Sequence, residues 1–166
     1  MSGQAVDSVT RRVAASADEV WSVLADGWSY ATWVVGASRI RNVDPGWPRE
    51  GTRVHHSFGA WPLLIDDSTA VVHAEPGREL VLRARGWPAG EATVRLQLTP
   101  DGPDATVITL REDVSTGPGR LLPRPVRQLA LTPRNVEALR RLGYLAEGRR
   151  RERLSPAAGA GPTPPG

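Results

Sequence analysis

The chain has 166 residues and a formal net charge of +3, a size that fits one domain with a substantial apolar core. It contains no cysteine, which excludes disulfides, thiolate metal sites and a cysteine nucleophile and favours a reducing compartment, so we expect a cytoplasmic protein. The residues from Glu147 onward contain four arginines and two glutamates, so most of the net positive charge lies there and the preceding residues are nearly neutral. We therefore expect no nucleic-acid partner. No segment approaches the run of about 20 apolar residues that a membrane-spanning helix requires, and we expect no integral membrane association.

The chain begins with a loosely alternating, β-branched stretch, residues 5–13, which predicts a first strand. Ser16 has the character of a helix N-cap, because Glu19 stands three residues later and completes a capping box. Apolar residues then recur at helical spacing, so the pattern predicts a helix that begins at Ala17. A second short helix is predicted over residues 29–35.

From residue 37 to residue 115, short β-rich runs alternate with Gly, Pro and Asp residues that suit turns. The runs are consecutive and closely linked, which predicts an antiparallel meander with one face in need of cover. The predicted strands span 37–43, 52–58, 64–75, 79–86, 91–99 and 105–114.

The chain becomes helical again after this sheet. The segment VEALRRLGYLAEGRRR, which begins at Val136, places apolar residues on one side and arginines on the other, so it can cover the sheet. Thr132 and Pro133 suit an N-cap and a first helical position, which predicts a kink or break after a helical stretch at 125–131. Residues 149–166, first basic and then rich in Pro, Gly and Ala, lack apolar bulk and are expected to be a disordered tail.

Three segments carry a resemblance to a known family. The block ASADEVWSVLADGWSYATWVVGASRIRNVDPGWPREGTRV contains a capped helix with Val-Trp, a tryptophan-bearing second helix and a strand that leads into Gly-Thr-Arg-Val. AEPGRELVLRARG and LGYLAEGR add a Pro-turn hairpin and a helix end. Over about residues 5–148 the sequence resembles the polyketide cyclase/dehydrase-like branch of the START-like, helix-grip superfamily, also called SRPBCC.

The resemblance implies an α+β helix-grip fold: a curved antiparallel sheet of about seven strands around a long C-terminal helix, with two short helices after strand 1. Residues 1–148 would then form a START-like ligand-binding domain with a cavity between sheet and helix. The superfamily includes lipid carriers, hormone receptors, aromatase/cyclases and co-chaperones, so the fold alone does not select a function. The residues expected to line the cavity are Trp33, Tyr30, Val54, His56, Phe58, Trp61, Leu82, Val94, Leu96, Ile108, Leu110, Asn135 and Leu139.

The segment HHSFGAWPLLIDD combines two histidines with two aspartates. If its hairpin is centred near Trp61, His56 lies opposite Asp66. His55 then lies opposite Asp67 on the other face of the sheet, so only one pair can face the cavity, and the two histidines cannot easily share a metal ion. A carboxylate beside a histidine raises the pKa of the imidazole toward or above neutrality and suits it to general acid–base chemistry. The alternative is a structural cross-strand ion pair.

Glu112 continues the inward row formed by Ile108 and Leu110. A buried carboxylate needs a partner or a raised pKa, whereas a position at the solvated end of the strand would need neither. Arg134 and Asn135, early in the last helix, either reach into the cavity or pair locally. The candidate catalytic residues are therefore His56, Asp66 and Glu112.

Three functions are compatible with these patterns. The first is binding of a small hydrophobic or aromatic molecule, such as a lipid or polyketide-like compound, in the internal cavity. The second is a polyketide cyclase or dehydratase that uses a His or Glu as general acid or base. The third is a protein-interaction domain that uses the basic tail. The sequence has no phosphate loop, dinucleotide fingerprint or zinc-protease motif, so we expect no cofactor and no metal, favour binding over catalysis, and expect a monomer or homodimer.

Overall fold

The computed structural model describes residues 8–60, 62–86 and 90–155. Within them, seven strands form one antiparallel sheet in the order β1-β7-β6-β5-β4-β3-β2, and a long C-terminal helix packs on it. The α+β helix-grip architecture predicted from the sequence is confirmed. Its elements are β1 (Ser8–Val13), α1 (Ala17–Leu24), α2 (Tyr30–Trp33), β2 (Ala37–Val43), β3 (Arg53–Ala60), β4 (Leu63–Glu75), β5 (Glu79–Gly86), β6 (Gly90–Pro100), β7 (Thr106–Thr116) and α3 (Arg124–Leu154).

Side-chain caps mark the starts of the first two helical segments that follow β1. The predicted capping box of α1 is present: the Glu19 amide donates to Ser16 Oγ at 3.2 Å, and the Ser16 amide donates to the Glu19 carboxylate at 2.7 Å. The second helix is shorter than predicted. Asp26 accepts a hydrogen bond from the Trp28 amide and so caps a separate 3₁₀ turn, Gly27–Ser29, which precedes α2.

The strands follow the predicted meander to within two residues at each end, but the register of β3 with β4 differs from the prediction. His56 lies opposite Asp67, and His55 lies opposite Ser68. The predicted pairs of His56 with Asp66 and of His55 with Asp67 are therefore wrong by one residue. The physical reason is the length of the β3–β4 connection. Ala60 pairs with Leu63, so the hairpin is centred between two residues and not on a single residue, and every pair shifts by one position.

Helix α3 runs without interruption from Arg124 to Leu154, so of the predicted kink or break the break is wrong, as is the N-cap at Thr132. Pro133 removes the amide that would bond to the carbonyl of Leu129. Both residues are exposed, so water can satisfy that carbonyl and the helix continues. The expected domain boundary at residue 148 lies inside α3, and residues 156–166 of the expected tail lie outside the described residues.

The core lies between α1, the second half of α3 and the inner face of the sheet. Val20, Leu96 and Leu142 are fully buried there. Gly143 allows α3 to approach β1 closely, because a Cβ at this position would lie 2.8 Å from Cγ1 of Val13. The first half of α3 is less tightly packed and leaves a space above the sheet. No helix among the described residues is long and apolar enough to cross a membrane.

Candidate functional site

A cavity of about 160 Å³ lies between the first half of α3, α2 and the inner face of the sheet. An engineered apolar cavity of about 150 Å³ is known to bind benzene, so this volume accommodates one aromatic ring. Its walls are mostly apolar, with polar side chains from α2, from each of the strands β3 to β7 and from α3. The lining residues are Tyr30, Trp33, Val34, Val35, His56, Phe58, Thr69, Leu82, Ala84, Arg85, Gly90, Glu91, Ala92, Val94, Leu110, Glu112, Val114, Leu131, Arg134, Asn135 and Ala138.

Tyr30, Thr69 and His56 form a hydrogen-bonded group in the cavity wall, which we call the Tyr–Thr–His chain. Oγ1 of Thr69 lies 2.9 Å from Oη of Tyr30 and 3.0 Å from Nε2 of His56. The Tyr30 ring stacks on the imidazole with a centroid distance of 5.4 Å. All three side chains are buried, so water does not compete for these bonds. The threonine hydroxyl holds one hydrogen, so it donates to one neighbour and accepts from the other.

The direction of these bonds fixes the tautomer of His56. If Thr69 donates to Nε2 of His56, the imidazole proton lies on Nδ1. If Nε2 donates to Thr69, Nδ1 carries a lone pair and the Tyr30 hydroxyl proton is free for another acceptor. Nδ1 is buried and has no hydrogen-bond partner among the described residues. Either arrangement therefore leaves hydrogen-bonding capacity unused at the ends of the chain.

Burial keeps the Tyr–Thr–His chain uncharged at neutral pH. Burial lowers the pKa of His56 below the ordinary value of 6.5, and this outweighs the nearby Asp67 carboxylate, which raises that pKa. The expectation of a raised histidine pKa is therefore wrong, because desolvation dominates the charge of the neighbour. Burial also raises the pKa of Tyr30 to about 12, so its hydroxyl stays protonated.

Glu112 and Arg134 form an ion pair in the same wall. The inward row of β7 carries Glu112 into the protein, where its side chain is only 5 % exposed. Arg134 reaches from α3 and donates through Nη2 to Oε1 of Glu112. Glu112 is therefore a buried carboxylate with a partner and does not lie at a solvated strand end. Removal of either partner would leave an uncompensated charge in a largely apolar wall.

At the ends of β5 and β6 the cavity lining reaches solvent-exposed residues. Arg85 and Glu91 stand there, with Nε of Arg85 3.4 Å from a Glu91 carboxylate oxygen. The Arg85 side chain is 61 % exposed, whereas Thr69 at the other end is fully buried. A molecule in the cavity would therefore have one end beside the buried Tyr–Thr–His chain and the other near this charged mouth.

Apart from Asp66, the structure places the sequence-predicted site residues in three groups. Tyr30, Trp33, His56, Phe58, Leu82, Val94, Leu110, Glu112 and Asn135 line the cavity. Trp61 lies outside the described residues. The predicted contacts Val54, Leu96, Ile108 and Leu139 are instead fully or almost fully buried in the core.

Asp66 and His55 lie on the face of the sheet opposite to His56, as alternation along the strands requires. Asp66 accepts a hydrogen bond from Ser57 Oγ at 2.9 Å and pairs with Arg41 at 3.3 Å. Nε2 of His55 lies 3.0 Å from Oδ1 of Asp44. Asp66 therefore cannot act with His56 in the cavity.

Sequence reasoning missed the small residues that create the space. Ala84 and Ala92 lie directly opposite each other on β5 and β6, and Ala138 faces them from α3. Ala92 could have been found, because it begins the inward row that continues with Val94. Thr69 could not have been found without the β3–β4 register, since nothing in its local sequence marks it as the centre of a hydrogen-bonded group.

The sequence profile described as "Polyketide cyclase / dehydrase and lipid transport" matches residues 5–147, most of the chain. Comparison with curated proteins found no significant match.

Solved structures with the same architecture include the Zhui aromatase/cyclase from Streptomyces sp. R1128, with 20 % identity, a TM-score of 0.66 and coverage of 89 % of this chain and 96 % of that one. A START superfamily protein from Mycobacterium smegmatis has 22 % identity and a TM-score of 0.60, with coverage of 90 % and 98 %. The di-domain aromatase/cyclase StfQ of the steffimycin biosynthetic pathway has 14 % identity and a TM-score of 0.68, with coverage of 87 % and 52 %. At these identities the similarity shows the fold alone.

Proposed function

The chain belongs to the polyketide cyclase/dehydrase and lipid transport family, and from that premise we propose that it binds a small hydrophobic or aromatic molecule in its internal cavity. The observation that carries this proposal is the cavity of about 160 Å³ between sheet and helix. Protein interiors are close-packed, and few voids exceed the size of a water molecule. A larger, mostly apolar void with a few grouped polar atoms is typical of a ligand site.

The dimensions and chemistry of the cavity narrow the class of ligand. Typical ligand pockets are about 300–1,000 Å³, so this cavity holds one ring and not a whole lipid or extended polyketide. A larger compound would place one ring beside Thr69 and extend past Arg85 into solvent. The uncharged Tyr–Thr–His chain suits a neutral hydroxyl or carbonyl group on that ring, because a charged group would lose its hydration there without compensation.

A cavity-filling substitution tests the proposal. Ala138→Phe adds a ring inside the cavity, whereas Ala130→Phe adds the same ring on the exposed side of α3. We expect Ala138→Phe to weaken the binding of phenol and naphthol, measured by isothermal titration calorimetry, at least tenfold, and Ala130→Phe to leave it unchanged. Melting temperatures of both variants would show whether they remain folded. Equal binding by the wild type and a folded Ala138→Phe variant would contradict the proposal.

A second candidate function, a cyclase or dehydratase, is favoured by one observation: Thr69 connects a phenol hydroxyl to an imidazole nitrogen. In a dehydration, His56 would accept the α-proton of a β-hydroxy ketone while the C–H electrons form the new double bond. The β-hydroxyl would leave as water with a proton returned by the same chain. His56 is neutral at pH 7 and can therefore accept that proton.

This second candidate has a direct test. The β-hydroxy ketone formed from benzaldehyde and acetone contains one ring, and its dehydration to benzylideneacetone can be followed by absorbance. If the chain is a dehydratase, His56→Gln lowers kcat at least 100-fold with little change in KM, whereas Asp66→Asn on the opposite face leaves both unchanged. No turnover by the wild type, or equal turnover by His56→Gln, would reject this function and leave ligand binding unaffected.

A further inference from the structure

Helix α3 presents a second apolar surface, on the side that faces away from the cavity. We call it the outer stripe, and it consists of Leu122, just before the helix, and Val126, Leu129, Pro133 and Val136. Val126, Leu129, Pro133 and Val136 are spaced by three and four positions alternately, so these four lie on one face of the helix. All are exposed, Leu129 by 80 %. The helical part of the stripe, from Val126 to Val136, is about 15 Å long at 1.5 Å per residue.

The outer stripe lies in a basic segment of the chain. Residues 114–136 contain four arginines and no acidic residue, whereas the whole chain carries +3, so the remainder carries −1. Arg134 pairs with Glu112, and Arg127 lies 3.8 Å from Asp113. Arg120, next to the stripe, is exposed and, among the described residues, donates a long hydrogen bond of 3.4 Å to the Ser115 carbonyl. Exposed apolar side chains are thus accompanied by local positive charge.

We propose that the outer stripe docks the protein on the surface of an anionic lipid bilayer. A helix that combines an apolar stripe with arginines and low overall hydrophobicity suits the interface plane, where apolar side chains enter the acyl boundary and guanidinium groups meet lipid phosphates. A second copy of the chain is a poorer occupant. Two such segments would each bring a net positive charge even after Arg127 and Arg134 pair with Asp113 and Glu112, and like charges across an interface oppose association.

The docking surface and the cavity occupy opposite faces of the same stretch of helix. Leu131 and Ala138 point toward the cavity, whereas Leu129 and Val136 point away from it. Docking is therefore a separate property from ligand binding and does not depend on it. A variant with a filled cavity still retains the whole outer stripe.

Vesicle co-sedimentation tests this proposal with the full chain. We expect binding to vesicles of phosphatidylcholine with phosphatidylglycerol, little binding to phosphatidylcholine alone, and weaker binding at high salt. Leu129→Ser should lower the partition coefficient about tenfold through loss of buried apolar area, and Arg120→Gln about fivefold. The matched controls Val72→Ser on β4 and Arg78→Gln in the β4–β5 turn, both exposed residues away from α3, should leave it unchanged.

Several results would overturn docking. These are no binding to anionic vesicles, equal binding to neutral vesicles, and equal losses in the control variants. Sedimentation equilibrium supplies a further test: a dimer that Leu129→Ser dissociates would assign the stripe to a second copy instead. The Ala138→Phe variant should still bind vesicles but should no longer bind phenol. Failure of docking and failure of ligand binding are therefore distinguishable.

Discussion

The two halves of α3 share one continuous helix but differ in what surrounds them. In the second half Leu139, Leu142 and Ala146 are fully buried against α1, β1 and the sheet. In the first half the inward side faces the cavity, and the outward side exposes Val126 and Leu129. Packing thus concentrates in one half, and the surfaces open to other molecules concentrate in the other.

Polar contacts join the second half of the helix to α1, whereas Arg134 in the first half pairs with Glu112 on β7. Arg149 donates to the Ser22 carbonyl at 2.6 Å and to Asp26 at 2.8 Å. Arg153 donates two hydrogen bonds to Glu19, the residue that also closes the capping box of α1. The second half is therefore fastened to α1 by charge-assisted bonds. The contrast teaches that the fold can leave a void under the first half because the second half supplies the stability.

The largest expected effect is on stability and comes from truncating one leucine in each half. Leu142→Ala removes a fully buried side chain and should lower the free energy of unfolding by about 2–5 kcal/mol. Leu129→Ala removes an exposed one and should change it by less than about 0.5 kcal/mol. Urea unfolding followed by tryptophan fluorescence would measure both. A similar loss of unfolding free energy in the two variants would contradict the conclusion that the second half of α3 supplies the stability.

A smaller effect is expected from the bond between α1 and α3. Glu19→Gln weakens both the Arg153 contact and the capping box, and should lower the free energy of unfolding by about 1–2 kcal/mol. Glu137→Gln is the matched control: Glu137 pairs with Arg141 on the helix surface, where such pairs contribute about 0.3–0.5 kcal/mol. If Glu19→Gln and Glu137→Gln lowered the free energy of unfolding equally in urea, the contact between Glu19 and Arg153 would contribute no more than a surface ion pair.

The smallest effect is a difference in pH dependence, which sharpens the comparison. Burial raises the pKa of Glu19, but the Ser16 amide and Arg153 outweigh it, so the net pKa lies below 4.5. Its contribution to stability is therefore complete above pH 4.5 and is lost as pH falls through the lowered pKa. Burial lowers the pKa of His56, so protons bind the unfolded chain first, and stability declines as pH falls below 6.5.

Urea unfolding between pH 7 and pH 3 separates the two groups. In the wild type the free energy of unfolding should decline below about pH 6.5 and again below pH 4.5. His56→Phe should flatten the first decline and leave the second in place. Glu19→Gln should do the reverse. If His56→Phe retained the wild-type slope between pH 7 and pH 5, the histidine would not be held neutral by burial.

Most of the fold could be predicted from sequence because its signals are local. The capping box at Ser16 depends on residues three apart, and the strand ends follow from turn residues between the runs. The continuity of α3 could not be predicted: Pro133 normally marks a boundary, and only its position on the solvent side makes it tolerable inside the helix.

The candidate site was harder to predict because it depends on relations between strands. His56 was found, but its partner is Thr69 and not Asp66, since one residue in the hairpin connection changes which side chains share a face. Likewise, alternation places Leu96 and Val94 on the same row, yet only Val94 lines the cavity. A pattern gives the face of a strand, whereas the distance to α3 decides whether a side chain meets the core or an empty space.

The single hydrogen on Oγ1 of Thr69 has a consequence for selectivity. Because Tyr30 and His56 both bond to that oxygen, all the bonds in the chain can reverse together without any movement of heavy atoms. The Tyr30 hydroxyl then offers a lone pair in one arrangement and a proton in the other, so it can pair with a guest that offers an O–H group or with one that offers an oxygen. Discrimination among guests would therefore rest on the shape and length of their carbon skeleton, and the same pocket could serve an alcohol and the ketone formed from it.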